Sequence, residues 1–281
     1  MATESRHRGA LHARLVNSIV QRAQRCLARN RRTRFGRWIG NLCLVLARGY
    51  ENDNADGTQN GEWRILDALG RADVAVVFDV GANHGDWTRA VLERLPVATV
   101  HAFEIEPSTR TRLTANVGAS ERVVIAEVGL ADQPGVLDVW IDPEHDDVAS
   151  TIGRRPGGAE GRTVTCAVES GDRYLQQLAL PRIDLLKVDV EGADLAVLEG
   201  FGAAMRDGSI GAIQFEFTGW APLARVWLRD FYELLEPLGY EIGKIFPTYV
   251  EFRAYEVSQE IFVRANFFAV HRSRPDLRQC L

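Results

Sequence analysis

From residue 74 onward the chain alternates two hydrophobic patterns. Short runs rich in β-branched residues recur at 74–80 (VAVVFDV), 97–104 (VATVHAFE), 123–129 (VVIAEVG), 183–190 (IDLLKVDV) and 211–217 (GAIQFEF). The segments between them carry apolar residues at a helical stride. Trp87, Ala90, Val91 and Leu95 make one stripe, and Leu223, Val226, Trp227, Phe231, Leu234, Leu235 and Leu238 make another. Strand and helix in alternation predict a parallel sheet with helices on both faces. Near the end, 240–246 (YEIGKIF) and 266–272 (NFFAVHR) follow one another with no helical pattern between them, which predicts an antiparallel pair. Two further strand-like runs, 136–141 and 163–168, flank a Gly- and Asp-rich stretch at 142–162, read as a loop over the functional face.

Residues 51–61 (ENDNADGTQNG) have no apolar period and read as a linker. Ahead of it, residues 1–50 form an arm in which Leu11, Leu15, Ile19, Arg22 and Cys26 keep a helical stride. The division expected is therefore an arm at 1–50, a linker at 51–61, a main domain at 62–272 and a tail at 273–281. Charge sharpens the distinction. Eleven Arg against the single acid Glu4 give residues 1–48 a charge of +10, so a chain of net −5 carries −15 in the remainder. Such an arm fits nucleic acid, an anionic membrane surface, or a solvated helix packed on the main domain.

The chain has 281 residues, 46% of them hydrophobic and 25% charged, which suits a globular core and excludes wholesale disorder. Cys26, Cys43, Cys166 and Cys280 share no metal-binding spacing. The apolar stretch Trp38 to Ala47 is about half the length of a membrane-spanning helix. A cytoplasmic protein is the expectation, with peripheral membrane association through the arm as one of its open alternatives.

In an open α/β sheet, ligands gather at the carboxyl ends of the strands. The first strand ends in Asp79-Val80-Gly81-Ala82-Asn83-His84-Gly85, a turn before a helix start. Gly81 and Gly85 permit close backbone approach, and Asp79 can hold the loop or receive an ammonium group. Glu104, ending the second strand, follows Gly81 by 23 residues, near the spacing of about 20 at which an acid reaches a ribose. Glu127, after the third strand, stands either where an adenine edge is expected or as a solvated residue at the sheet edge. Asn83 stands where a pyrophosphate-binding loop prefers glycine. A phosphate-free, cationic ligand such as S-adenosylmethionine suits these acids better than a dinucleotide.

The fourth run, IDLLKVDVEG, sets Lys187, Asp189 and Glu191 on one flank. Glu216 ends the fifth strand. These four are the candidates for chemistry: the acids as a base taking a proton from an acceptor hydroxyl or, for Asp189 and Glu216, as ligands for a divalent cation; an ion-paired network of Lys187 with Asp189 and Glu191 at the sheet end is the alternative. His84 and His145 are further candidate bases.

The runs FDVGANHGDWT (78–88), HAFEIEPS (101–108), EVGLAD (127–132), GDRYL (171–175) and IDLLKVDVEGADLAVLEGF (183–201) resemble the FkbM-type family of S-adenosylmethionine-dependent methyltransferases. That resemblance implies the class I methyltransferase fold, a Rossmann-like α/β architecture whose seven-stranded, mostly parallel sheet has an antiparallel last strand. It implies O-methylation of a hydroxyl on a sugar, glycolipid or natural product. The cofactor loop then falls on Asp79, Gly81, Asn83 and Gly85, the ribose acid on Glu104, and the Lys-x-Asp-x-Glu-Gly run on Lys187, Asp189, Glu191 and Gly192. Where the family often has FEP this chain has FEIEP, so Glu106 competes with Glu104 for the ribose, although Glu106 precedes Pro107 at a helix start. An RNA acceptor reached through the arm, and a non-catalytic partner subunit, are the competing functions.

Overall fold

The computed structural model describes residues 17–118, 120–142, 149–150, 153 and 161–281. The chain forms two units, 1–51 and 52–281. In the first, residues 17–30 are helical, a turn follows, and a second helix runs over Arg34–Tyr50. Thr33 caps that helix by accepting from the Gly36 N–H at 2.9 Å. Ile19, Arg22 and Cys26 of the expected stride lie on the first helix, whereas Leu11 and Leu15 lie outside the described residues.

In the second unit the strands are β1 (Val76–Val80), β2 (Thr99–Phe103), β3 (Val123–Ala126), β4 (Gly129–Ala131), β5 (Gly135–Ile141), β6 (Ala149–Ser150), β7 (Arg162–Ser170), β8 (Ile183–Val188), β9 (Ile210–Phe217), β10 (Tyr240–Ile245), β11 (Val250–Phe252) and β12 (Ala265–His271). The main sheet has the order β11-β10-β12-β9-β8-β1-β2-β3. From β3 to β9 neighbours are parallel, β12 inserts antiparallel between β9 and β10, and β10 pairs antiparallel with both β12 and β11. This is the class I methyltransferase arrangement with one strand more than the seven expected, the extra one being the short edge strand β11.

Strand alternation sorts the core into two layers. Val77 and Leu185 face the helices Glu62–Leu69 and Asp86–Arg94, packing with Ile65, Leu66 and Val91. Phe78, Leu186 and Phe215 face the helices Gly171–Leu178, Asp194–Glu199, Gly202–Arg206 and Leu228–Leu235, packing with Phe201, Met205 and Phe231. All six residues of β8 are buried, so this strand reads as a continuous apolar run interrupted only by Asp184 and Lys187.

The structure corrects several boundaries. The run 123–129 divides, because β3 belongs to the main sheet and Gly129 begins β4 in a second, four-stranded sheet of order β4-β7-β5-β6. Gly129 packs closely at that point, since a Cβ there would stand 2.8 Å from the Ile105 side chain. The stripe from Leu223 to Leu238 breaks at Arg225, which adopts a left-handed φ of 60°, into Ala221–Ala224 and Leu228–Leu235. Most of the expected loop at 142–162 lies outside the described residues.

The stretch 51–61 is fastened rather than free. It includes a one-turn helix at Gly57–Asn60, and the Asn52 side-chain amide donates to the carbonyls of Asn60 (2.7 Å) and Ile245 (3.0 Å). The residues after 272 are tied down as well. Leu277 is fully buried, and Arg274 reaches Asp184, a carboxylate with no exposed surface. Asp184 accepts from the N–H groups of Ala75 (2.8 Å) and Val76 (3.0 Å) through Oδ2, while Oδ1 meets Arg274 Nη1 at 2.7 Å and Arg182 Nε at 3.0 Å. This buried knot sets the start of β1 against β8. Asp184→Ala should lower the unfolding free energy by about 3–5 kcal/mol, because it leaves buried donors and a guanidinium without their acceptor. A fall in the urea midpoint at unchanged m-value is the expected signature.

Candidate functional site

The loop after β1 is drawn onto its neighbours by backbone contacts. The N–H groups of Gly81 and Ala82 both donate to the Phe103 carbonyl at 2.9 Å. Gly81 has φ +81°, and a Cβ on it would meet the Asp189 carbonyl oxygen at 1.9 Å, so only glycine lets the β1 loop and the end of β8 touch. Gly85, at φ +88°, opens the helix Asp86–Arg94. Asn83 adopts a left-handed φ of 49°, which asparagine tolerates better than most residues.

Asp79 is fully buried and faces inward. Its Oδ2 accepts from the Thr88 hydroxyl at 2.6 Å and its Oδ1 lies 3.7 Å from Lys187 Nζ. Burial raises the Asp79 pKa, with Lys187 opposing. Asp79 therefore holds the loop. The Lys187 amine is also buried, 3.1 Å from Asp189 Oδ2, with the Trp87 ring centroid 5.7 Å away. Burial favours its neutral form, but Asp189, Asp79 and Glu62 outweigh that and hold it well above the ordinary lysine range. Of the network of Lys187 with Asp189 and Glu191 weighed from the sequence, the pair with Asp189 is present and Asp79 joins it, yet the network does not enclose Asp189, whose side chain keeps 36% of its surface.

Glu104 is buried at the end of β2 and accepts from the N–H groups of Asn83 and Glu106, both at 2.9 Å. Burial pushes its carboxyl up to about 7, against the pull of those two amides. Glu106 has other work. It caps the helix Pro107–Val117, accepting from Thr109 N at 2.6 Å, and pairs with Arg162 at 2.9 Å. That separates the two acids of FEIEP.

Two cavities open at this end of the sheet. One, of about 360 Å³, is lined by Glu104, Ile105, Leu130, Asp132, Val139 and Glu191, among others. The other, of about 500 Å³, is lined by Glu62, Trp63, His84, Trp87, Arg89 and Lys187, among others. Gly81, Asn83 and Asp189 line both and form their common wall.

The donor set fits an adenosyl sulfonium. In the smaller cavity an acid at the end of β2 can accept from vicinal ribose hydroxyls, apolar Ile105, Leu130 and Val139 can flank a base, and Asp132 can accept from its amino group. The larger cavity offers both charges that an amino-acid end requires, with the helix start at Asp86, Arg89 and Lys187 for a carboxylate and Glu62 for an ammonium.

Several expected site residues lie elsewhere. Glu127 is exposed and lines neither cavity; its strand turns off before it, and Gly129 to Asp132 occupy the wall. Glu216 is nearly buried, lines neither cavity, and lies 3.3 Å from Arg264 Nε. Burial and the charge of Asp189 raise its pKa well above the ordinary range, while Arg264 opposes. Glu191 sits past the strand in a left-handed turn, φ 52°, followed by Gly192 at φ 98°. His84 lines the larger cavity with its Nε2 3.4 Å from Arg112 Nη1, and His145 lies outside the described residues. Among the described residues no group of three or more His, Cys, Asp or Glu is placed to hold a metal ion.

Glu62, Trp63, Trp87 and Asp132 were not among the sequence candidates. Asp132 carried a signal, since it ends the EVGLAD run. Glu62 carried none, because its position depends on Gln214 (2.7 Å) and Asn266 (3.1 Å), both far away in the sequence.

A family model described as the methyltransferase FkbM domain matches residues 79–242. The hexuronic acid methyltransferase AglP of Haloferax volcanii is 34% identical over 156 residues, 51% of this chain and 62% of its own length. The 2-O-methyltransferase NoeI of Sinorhizobium fredii is 29% identical over 49% of this chain and 61% of its own. The 31-O-demethyl-FK506 methyltransferase FkbM of Streptomyces tacrolimicus is 30% identical over 44% and 58%. The chain thus spans about three fifths of the length of these relatives. A crystal structure of methyltransferase FkbM from Methylobacillus flagellatus superposes with a TM-score of 0.42 at 12% identity, over 70% of this chain and 44% of that one.

Proposed function

Because the chain belongs to the FkbM family of methyltransferases, we propose that it methylates a hydroxyl oxygen of a sugar or sugar-bearing natural product, with S-adenosylmethionine as donor. The observation that carries this reading is the common wall of the two cavities, where Asp189 is held by Lys187 and remains accessible. The names of the relatives, one acting on a hexuronic acid and two on named oxygens, support the acceptor class.

Glu104 would hold the ribose, with Ile105, Leu130, Val139 and Asp132 about the base, and the amino-acid end would extend past Gly81 and Asn83 toward Lys187 and Trp87. Bound so, the donor supplies a methyl carbon on a cationic sulfur at the common wall. Asp189 would accept the proton of the acceptor hydroxyl as that oxygen takes the methyl carbon, and the electron pair of the broken carbon–sulfur bond would stay on sulfur. Lys187 holds Asp189 in place through their 3.1 Å contact. Alignment of oxygen, carbon and sulfur contributes up to about 7–11 kcal/mol in favourable cases, and a positioned base a further factor of roughly 100 to 10,000. Glu191 lies on the same rim and, on this reading, contacts the acceptor.

Incubation of the protein with methyl-labelled S-adenosylmethionine and a panel of uronic acids, neutral glycosides and RNA tests the reading. Label is expected on a sugar hydroxyl. Label on RNA alone, or none on any sugar, would contradict it.

A further inference from the structure

The arm supplies an observation that the catalytic reading does not use. On the helix Arg34–Tyr50 the residues Phe35, Trp38, Leu42, Val45, Leu46 and Tyr50 share one side. These six are between 42% and 82% exposed, and the rings of Phe35 and Trp38 stack at 6.1 Å. Arg34 flanks this stripe, while Arg37, Asn41 and Arg48 lie opposite; Leu44 is the one large apolar residue among them. The preceding helix repeats the division in part, with Ile19, Val20, Cys26 and Leu27 within one arc, Arg25 and Arg29 away from it, and Arg22 beside Cys26. Arg31 and Arg32 occupy the turn. Across residues 17–51 there are eight Arg and one acid, Glu51.

We propose that this helical pair lies in the surface of an anionic phospholipid bilayer, its apolar stripe among the acyl chains and its arginines among the headgroups. No helix among the described residues is long and apolar enough to cross a membrane, so a position in the interface is the one that remains for a lipid contact by these helices. The choice of occupant follows from using both faces at once. Nucleic acid would engage the arginines and leave Trp38, Leu42 and Val45 in water. A second copy of the chain would cover the stripe while bringing eight more arginines alongside the first eight. An anionic bilayer satisfies both, with aromatic Trp38 and Tyr50 suited to the headgroup boundary. The proposal stands on the arm alone and is independent of the acceptor's identity.

Co-sedimentation of the full chain with vesicles tests it. The protein should pellet with vesicles of phosphatidylcholine mixed with phosphatidylserine, pellet far less with phosphatidylcholine alone, and be released by high salt. Leu42→Asp with Leu46→Asp should abolish pelleting, and Arg34→Gln with Arg37→Gln should weaken it by about tenfold or more. Circular dichroism and thermal unfolding of both variants should match the wild type, which separates lost docking from lost folding. A chain that stays in the supernatant with the mixed vesicles overturns the proposal. So does undiminished pelleting of the Leu42/Leu46 variant, or a dimer in lipid-free gel filtration that the same variant dissociates, which would assign the stripe to a second copy.

Discussion

Asp189→Asn is expected to reduce turnover by about 100- to 10,000-fold while changing the dissociation constant of the donor by less than about tenfold. Asparagine keeps the size of the side chain and an oxygen that can accept from Lys187, so the loop at the common wall should retain its shape. What it loses is the capacity to take a proton at neutral pH. Rapid-quench measurement of the methyl-transfer step, with donor binding followed separately by calorimetry, divides the effect. A weakened donor with unchanged transfer would instead make Asp189 a ligand of the amino-acid end. Lys187→Met should act through the position of Asp189 and is distinguishable by rescue, since Lys187→Arg restores a cation beside Asp189 and should recover part of the lost turnover.

Glu104→Gln is expected to weaken donor binding by about 100-fold or more, because hydrogen bonds to a charged acceptor contribute about 1.5–3 kcal/mol each and a ribose offers two. The substitution also sets a side-chain NH2 against the N–H of Asn83 or Glu106, where the carboxylate accepted both. The wild-type pH dependence gives the same assignment a second reading. Glu104 is pushed up to about 7 from an ordinary 4.5. Without donor, this raised value contributes stability that is fully present below about pH 4.5 and is lost as pH rises through about 7. Donor binding runs the other way, since the ribose hydroxyls donate to the ionised form. Affinity should rise with pH by up to tenfold per unit and level off above about 7. Calorimetry from pH 5.5 to 8.5 should show that rise in the wild type and a flat response in Glu104→Gln. A rise of the same size in the variant would assign it to another group, and Asp194, pushed up to about 8 by burial and by Asp189, is the first candidate.

Much of this site was legible because its geometry depends on short-range rules. A glycine turn after a buried strand, an acid at the end of the next, and Lys-x-Asp after the fourth are local patterns, and the parallel sheet then gathers their ends. FEIEP could not be resolved from sequence, because either acid fits the spacing; the structure separates them through the helix cap, which takes Glu106 and leaves Glu104 on the cavity wall. Glu127 was misplaced by a strand boundary. The run VVIAEVG is apolar enough to continue, but the chain leaves the main sheet after Ala126, and Gly129, packed close on Ile105, begins a second sheet. The larger cavity was the least legible part. Its wall includes Asp56 to Thr58, from a stretch whose polar composition reads as linker, and the adjoining Glu62 and Trp63; their position is fixed by Ile245, Gln214 and Asn266, more than 150 residues further on.

The most direct test of the account is a crystal structure of the protein with S-adenosylhomocysteine. The account places the ribose hydroxyls on Glu104, the base between Ile105 and Leu130 near Asp132, the sulfur at the wall formed by Gly81, Asn83 and Asp189, and the amino-acid end toward Lys187 and Trp87. A ligand seated away from that wall, or one whose ribose meets Glu106 in place of Glu104, would contradict it.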